Sequence, residues 1–334
     1  MTALVGYTGF VGSNIYAGAN KSAGSGIDAV YNSGNIEEAF GTNPDILIYS
    51  GLRAEKYLAN SAPEKDMELI LEAEDNISKI NPKKLVLIST IDVFKNPVNV
   101  NENSDIDTEN LHPYGYNRYK LEQWVREKYP DALIIRLPGL FGQNIKKNFI
   151  YDYINVIPFM LKENKFKELS AKDPELTDYY ELLDNGFYRL LPFTMPQRPG
   201  EGKIEQNDET DNDKSSADKK EILKNKFRNL GFSALNFTDS RSVYQFYNLE
   251  RLWDDIQTAL ANDITLWHPA TEPVSAAEVY RYLTGKEFVN EITQTPAFYD
   301  YRTIHGDVFG GNSEYICSKN EILMQIKEFV NTRN

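Results

Sequence analysis

Ala3-Leu4-Val5-Gly6-Tyr7-Thr8-Gly9-Phe10-Val11-Gly12-Ser13-Asn14-Ile15 is the stretch on which the reading of this chain turns. Three apolar residues run into three spaced glycines, and an amphipathic pattern opens directly after them. A short apolar run closed by glycine reads as a buried strand, and the pattern beyond it as a helix. Glycines at positions 6, 9 and 12 permit a tight turn and a close approach of backbone amides to a ligand. A helix opening there aims its unpaired N–H groups and the positive end of its dipole at that ligand, which suits a phosphate. Thr8, Phe10 and Val11 belong to the same loop. In a strand–turn–helix context the implied ligand is a dinucleotide pyrophosphate.

Working outward, further apolar runs follow at Asp28–Tyr31, Asp45–Tyr49, Leu85–Ser89 and Ala132–Leu137. Short runs of this kind, separated by helical patterns, read as parallel strands buried on both faces. The helical patterns are Lys56 to Ile80, closed by Asn81-Pro82, and Tyr116 to Tyr129, closed by Pro130. The alternation predicts an α/β architecture, a doubly wound parallel sheet of the Rossmann type over residues 1–148. Ligands of such sheets bind at the carboxyl ends of the strands. Asn32 and Ser33 after the second strand, Ser50 and Gly51 after the third, Ser89 on the fourth and Leu137 on the fifth are therefore expected beside the dinucleotide. The second strand ends in neither an acid nor an arginine, so NAD and NADP are both compatible with it.

Beyond residue 148 the pattern changes. Residues 149–334 read as a smaller, mostly helical substrate lobe, with the chain returning to the sheet around 241–262. Residues 198–220 are polar and charged and read as a flexible loop, because they offer too little apolar surface to offset the entropy of ordering. Helices are expected at Ser275 to Leu283, with Ser275 as N-cap, and at Lys319 to Val330.

Composition narrows the function. The chain has 334 residues, 41% of them hydrophobic and 25% charged, which is enough to bury a core. A net charge of -13 argues against a nucleic-acid or anionic-membrane surface, either of which needs a basic face. Cys317 is the one cysteine, so no internal disulfide forms and a reducing compartment fits. With no basic start before an apolar run and no stretch of ~20 apolar residues, a cytoplasmic location is expected. No cluster of His, Cys and Asp has metal-ligand spacing, so no metal is expected.

Three Tyr-x-x-x-Lys pairs occur, Tyr116/Lys120, Tyr282/Lys286 and Tyr315/Lys319, and with 21 tyrosines some arise by chance. Only Tyr116 and Lys120 fall at the start of a helix in the nucleotide-binding half, where i, i+4 spacing puts them on one face. An ammonium beside a phenol lowers its pKa toward a usable base, and Lys120 could also hold a ribose. The fourth strand ends in two hydroxyls, Ser89 and Thr90, at the edge where one could hydrogen-bond the reacting oxygen.

These residues resemble the extended short-chain dehydrogenase/reductases, the group containing nucleotide-sugar epimerases, dehydratases and reductases. Gly6-x-x-Gly9-Phe-x-Gly12 looks like their cofactor loop, and Ser89-Thr90-Ile-Asp92-Val93-Phe94 like their catalytic-hydroxyl strand. Tyr116-x-x-x-Lys120 looks like their Tyr-x-x-x-Lys-x-x-x-Glu helix, although here the acid, Glu122, falls two residues after the lysine. Arg136-Leu-Pro-Gly-Leu-Phe141-Gly142 is similar to their following strand and loop, and the segment from Arg241 to one that brings an arginine to a substrate diphosphate. The resemblance implies hydride transfer between a sugar carbon and NAD or NADP, with Thr90, Tyr116 and Lys120 catalytic. It also implies a nucleotide-sugar substrate and a homodimer. Asp92, Asn148, Arg241 and Arg302 are the candidate substrate contacts. Ile91 stands where dehydratases carry the first of two acids, so epimerisation or keto-sugar reduction is favoured over 4,6-dehydration. A non-catalytic dinucleotide sensor, signalling through the 150–235 insert, is the alternative from another class.

Overall fold

The computed structural model describes residues 1–21, 26–192 and 209–333. In the first 146 residues, strands β1 (Thr2–Val5), β2 (Ala29–Tyr31), β3 (Ile46–Tyr49), β4 (Lys84–Thr90) and β5 (Leu133–Leu137) alternate with helices. These are α1 (Phe10–Lys21), α2 (Lys56–Ser61), α3 (Pro63–Ile80) and α4 (Pro113–Lys128). A short strand, β6 (Gly139–Phe141), follows β5.

The chain then builds α5 (Phe149–Ile154), β7 (Met160–Lys162), α6 (Glu163–Lys172), β8 (Tyr180–Leu182), β9 (Phe187–Leu190) and α7 (Glu209–Asn229). It ends with β10 (Val243–Tyr244), β11 (Phe246–Asn248), α8 (Leu252–Ala261), β12 (Leu266–Trp267), β13 (Val274–Ser275), α9 (Ala276–Thr284) and α10 (Lys319–Asn331).

The chain divides into two compact units. The first comprises 1–146, 240–289 and 293–334, the second 147–239 and 290–292. The expected division lay at 148/149 with a return to the sheet around 241–262, and strand pairing accounts for the later segments of the first unit. β12 completes the parallel six-stranded sheet, in the order β12-β5-β4-β3-β1-β2, and β11 pairs parallel with β6. The strand order reverses about β1, the doubly wound arrangement in which ligands bind where the reversal opens a crevice. α3 and α4 cover the face presented by Ala3, Val5, Leu47, Leu85, Leu87 and Ile134, through Ile70, Ala73, Ile77, Leu121 and Val125. Pleating sends Leu4, Ile48, Val86 and Ile135, all buried, to the other face.

Three local expectations change. The helix expected from Lys56 to Ile80 breaks between α2 and α3 because Pro63, which has no N–H to continue a helix, takes the first position of α3. α4 starts at Pro113 rather than Tyr116, with the ring of His112 accepting the N–H of Gly115 at 3.0 Å as its cap. Within 149–192, β8 and β9 form an antiparallel hairpin joined by β7, where mostly helix was expected. Its turn carries Asn185-Gly186, a strong hairpin signal.

Of the expected loop at 198–220, residues 198–208 lie outside the described residues and 209–220 belong to α7. The buried Leu223 and Phe227 of that helix dock into the core of the second unit with Ile157, Leu161, Phe166, Leu169, Leu176 and Tyr180. That core is aromatic. Phe166 stacks on Tyr188 at 3.8 Å, and the Tyr180 hydroxyl donates to the Pro158 carbonyl at 2.5 Å. Among the described residues no helix is long and apolar enough to cross a membrane.

Candidate active site

The glycine loop sits where β1 passes into α1. Gly6 has φ +89°, a conformation that favours glycine, and its N–H bonds the Tyr31 carbonyl at 2.7 Å. A Cβ on Gly12 would stand 2.1 Å from the Gly6 carbonyl oxygen, so only glycine lets α1 start this close to the turn. Thr8 and Gly9 are exposed, and the first turn of α1 carries no acidic side chain. Its leading N–H groups are thus open to an anion and unopposed by negative charge. Asn14 fixes the loop from below, donating to Phe10 and Gln143 carbonyls at 2.8 Å each and accepting the Gln143 N–H at 3.0 Å. That clamp ties α1 to the Phe141-Gly142 loop.

Around the loop the expected cofactor residues take distinct positions. The Ser50 hydroxyl donates to the Val5 carbonyl at 2.9 Å, and Gly51 is exposed beside it. Asn32 accepts the Gly34 N–H at 2.8 Å and shapes the turn that contains Ser33. Leu137 is buried in β5, in register with Thr90 of β4. Ser89 turns into the core, its hydroxyl donating to Glu122 at 2.5 Å.

Glu122 is the centre of a buried network. Its carboxylate takes a bidentate grip from Arg136, at 3.1 and 2.7 Å, and Arg136 reaches the His268 ring at 3.3 Å. Burial, and then the guanidinium beside it, hold His268 well below the ordinary histidine range. Glu122 thereby binds α4 to the carboxyl end of β4 and to β5.

Thr90 caps the turn after β4, its oxygen accepting the Asp92 N–H at 3.2 Å. The start of α4 packs against that turn at Gly115, and Tyr114 is the residue before it. Tyr114 is buried and its ring lies 4.2 Å beneath the guanidinium of Arg118. Arg118 is itself buried, ion-paired with Asp66, and donates to the Arg53 carbonyl at 2.7 Å. The approach depends on Gly115, where a Cβ would stand 2.1 Å from the Asp92 carbonyl oxygen. Burial raises the Tyr114 phenol above its ordinary pKa, with Asp92 and Asp66 adding to the rise and Arg118 and the Thr90 hydrogen bond opposing it.

Tyr116 and Lys120, the pair selected from sequence, occupy another face of α4. Lys120 is exposed, its ammonium 5.3 Å from the Tyr116 ring, and among the described residues the Tyr116 hydroxyl has no hydrogen-bond partner. A helix turns about 100° per residue, so side chains two apart cannot share a face. The buried positions of α4 are Tyr114, Gly115, Asn117, Arg118, Leu121, Glu122 and Val125, and neither Tyr116 nor Lys120 is among them. Tyr114 and Arg118 were not singled out from the sequence, and Glu122 was noted only as the acid of the helix. The signal was the spacing: Tyr114-x-x-x-Arg118-x-x-x-Glu122 places the acid four residues after a cation, where the register from Tyr116 leaves it two residues short.

The substrate candidates separate. Asp92 stands beside Thr90 with both carboxylate oxygens in use, one 3.0 Å from the Lys56 ammonium and the other accepting the Tyr299 hydroxyl at 3.2 Å. Arg241 donates to the Thr293 carbonyl at 2.7 Å. Arg302 is held by Asp300 at 3.2 Å, by Glu314 and by Asn99, an ion-pair cluster that occupies its guanidinium. In the second unit, Asn148 caps α5, accepting the Ile150 and Tyr151 N–H groups at 3.0 and 3.2 Å.

No protein-family model matches the sequence, and no curated protein does. Solved structures do match, over nearly the whole chain. dTDP-4-dehydrorhamnose reductase from Yersinia enterocolitica superposes with a TM-score of 0.61 at 12% identity, covering 100% of this chain and 99% of its own. The chain therefore shares the fold of that reductase. A UDP-glucose 4-epimerase from Thermus thermophilus, in complex with NAD, shares it with a TM-score of 0.58 at 13% identity, covering 100% and 99%. So does dTDP-4-dehydrorhamnose reductase from Bacillus anthracis str. Ames, in complex with NADP, with a TM-score of 0.59 at 13% identity, covering 99% and 97%. In this fold Thr90 and the start of α4 stand at the carboxyl end of the sheet, the edge where doubly wound sheets bind ligands.

Proposed function

We propose that this chain is an NAD(P)-dependent enzyme that moves a hydride at a ring carbon of a nucleotide-linked sugar. The observation that carries the reading is the joint placement, at one sheet edge, of an anion-ready helix start, the strand-end hydroxyl of Thr90 and the tyrosine-bearing start of α4. The first supports a bound pyrophosphate, and the other two support proton transfer at a hydroxyl or carbonyl oxygen. Similarity to reductase and epimerase structures bound to NADP or NAD supports the cofactor class and the substrate class together.

Gly6, Thr8, Gly9, Phe10, Val11 and Gly12 would hold the pyrophosphate, with Asn32 and Ser33 at the adenosine end. Ser50, Gly51 and Leu137 would line the strand ends. A bound nicotinamide supplies or accepts the hydride. Thr90 donates a hydrogen bond to the reacting oxygen, and a phenol of α4 gives or takes the proton there.

Asp92 bears on the choice among reactions. Elimination of water needs an acid that can release a proton, whereas Asp92 accepts from both Lys56 and Tyr299. That arrangement favours reduction or epimerisation over dehydration. A sensor that only bound the dinucleotide would have no use for a hydroxyl and a phenol at that edge.

Incubation with reduced cofactor carrying deuterium at the transferable position, and with dTDP- or UDP-linked keto sugars, tests the reading. Deuterium on a sugar ring carbon is the expected result. Cofactor binding without label transfer to any of the sugars would favour the sensor instead.

A further inference from the structure

We propose that the turn after β2 selects NAD(H) over NADP(H), and that Glu37 and Glu38 repel the 2′-phosphate by which the two cofactors differ. The inference rests on the dinucleotide reading and narrows it to one cofactor.

Position comes first. The Gly6 N–H bonds the Tyr31 carbonyl at 2.7 Å, so the turn after β2 starts beside the loop assigned to the pyrophosphate. In a doubly wound sheet the adenosine ribose of a dinucleotide is read at the end of the second strand. An acid there holds the free ribose hydroxyls, and an arginine there accepts a 2′-phosphate. This chain has Asn32 instead, so the choice falls to the groups around it.

The turn is closed on itself. The Asn35 N–H donates to the Asn32 carbonyl at 3.1 Å, the Asn32 N–H to the Asn35 side chain at 2.8 Å, and the Gly34 N–H to the Asn32 side chain at 2.8 Å. Those backbone donors are taken and cannot cradle a phosphate. What the turn leaves to a ligand is the Asn32 Nδ2 amide and the Ser33 hydroxyl, neither of which has a partner among the described residues. Two neutral groups suit a ribose hydroxyl. A phosphate carrying a charge of about −2 would lose more hydration than they return.

The charge beyond the turn is negative. The chain passes straight into a short 3-10 turn, Ile36–Ala39, with Glu37 and Glu38 in its first turn. The Glu38 N–H donates to the Asn35 carbonyl at 3.1 Å, which fastens this turn to the one before it. At a rise of ~2.0 Å per residue the two acids stand ~4–6 Å along the axis from Asn35. That is inside the screening length of ~8 Å at physiological salt. Both are exposed, and neither has an ion-pair or hydrogen-bond partner among the described residues. They also oppose the positive end of the turn's own dipole. Residues 31–41 contain no lysine, arginine or histidine. Lys79 reaches this stretch, 5.1 Å from the centre of the Phe40 ring, but it is paired with Asp75 at 2.6 Å. A 2′-phosphate would therefore meet two free carboxylates and no free cation of this segment.

Titration of the full chain with NADH and with NADPH at low ionic strength, followed by the emission of the reduced nicotinamide, tests the proposal. NADH should bind tighter by ~10-fold or more, and added salt should narrow the gap by screening the carboxylates. The Glu37→Gln/Glu38→Gln double variant should tighten NADPH more than NADH, and Ser33→Arg should tighten NADPH further by supplying the missing cation. All three positions are exposed, so these variants test charge and not folding. Equal affinities in the wild type, or tighter NADPH, would overturn the proposal. So would a gap that the double variant leaves unchanged, because the carboxylates would then not be its source. No binding of either cofactor would instead defeat the underlying dinucleotide reading.

Discussion

The two compact units solve the problem of internal polarity in opposite ways. The first buries whole charges and answers each one, Arg136 with Glu122 and Arg118 with Asp66, and holds the buried ring of His268 against a carbonyl of the Arg302 turn at 3.2 Å. The second fills its core with Phe166, Tyr180, Leu223 and Phe227, and the carboxyl of Asp152 is pushed up to about 7 by burial alone. Buried ion pairs add little net stability, because desolvation consumes most of the attraction. They do fix geometry. The comparison teaches that buried ion pairs fix the geometry between α4 and the carboxyl ends of β4 and β5, whereas the second unit is held by aromatic packing.

Breaking one partner of the buried pair should have the largest effect. Arg136→Leu or Glu122→Leu alone should cost about 3–5 kcal/mol, because each strands a buried charge, and the double variant should recover most of it. In the second unit Phe227→Ala should cost a comparable ~3–5 kcal/mol through the cavity it leaves. Urea unfolding measures both. A double variant no more stable than the singles would mean that the network is not a paired unit.

A smaller effect, of opposite sign in the two units, should follow pH. His268 is neutral when folded and takes up a proton when unfolded below about 6.5, so the first unit should weaken as pH falls through that value. Asp152 holds its proton up to about 7 when folded but only to about 4 when unfolded, so its contribution is lost as pH rises through 7. Asp152→Asn should therefore raise the Tm relative to the wild type at pH 8 and lose that advantage at pH 5. An equal gain at both pH values would contradict the assignment of a buried protonated carboxyl.

The same contrast explains what could be read from the sequence. Parallel strands buried on both faces are continuous apolar runs, so β1 to β5 were legible from residues such as Ile46–Tyr49 and Leu85–Leu87. β12 is only Leu266–Trp267, too short to show a pattern, and its place beside β5 is a long-range pairing. In the second unit β8 and β9 carry aromatics whose spacing suggests neither strand nor helix, and only Asn185-Gly186 marked the hairpin.

The glycine loop and Thr90 were legible because their chemistry requires particular residue types at fixed spacing. The inward face of α4 was not. Helical spacing is satisfied equally by Tyr116/Lys120 and by Tyr114/Arg118, and only burial tells which pair faces the interior. Arg302 and Arg241 were read as substrate contacts because arginine suits anions, yet Arg302 is committed to Asp300 and Glu314 and Arg241 reaches the Thr293 carbonyl.

The central claim is that the open start of α1 holds a nicotinamide dinucleotide. Titration of the purified protein with NADH and with NADPH, followed by the emission of the reduced nicotinamide, tests it most directly. Saturable binding of at least one of them, at one equivalent per chain, is the predicted result. No binding of either, with no dinucleotide released when the protein is denatured, would contradict the account.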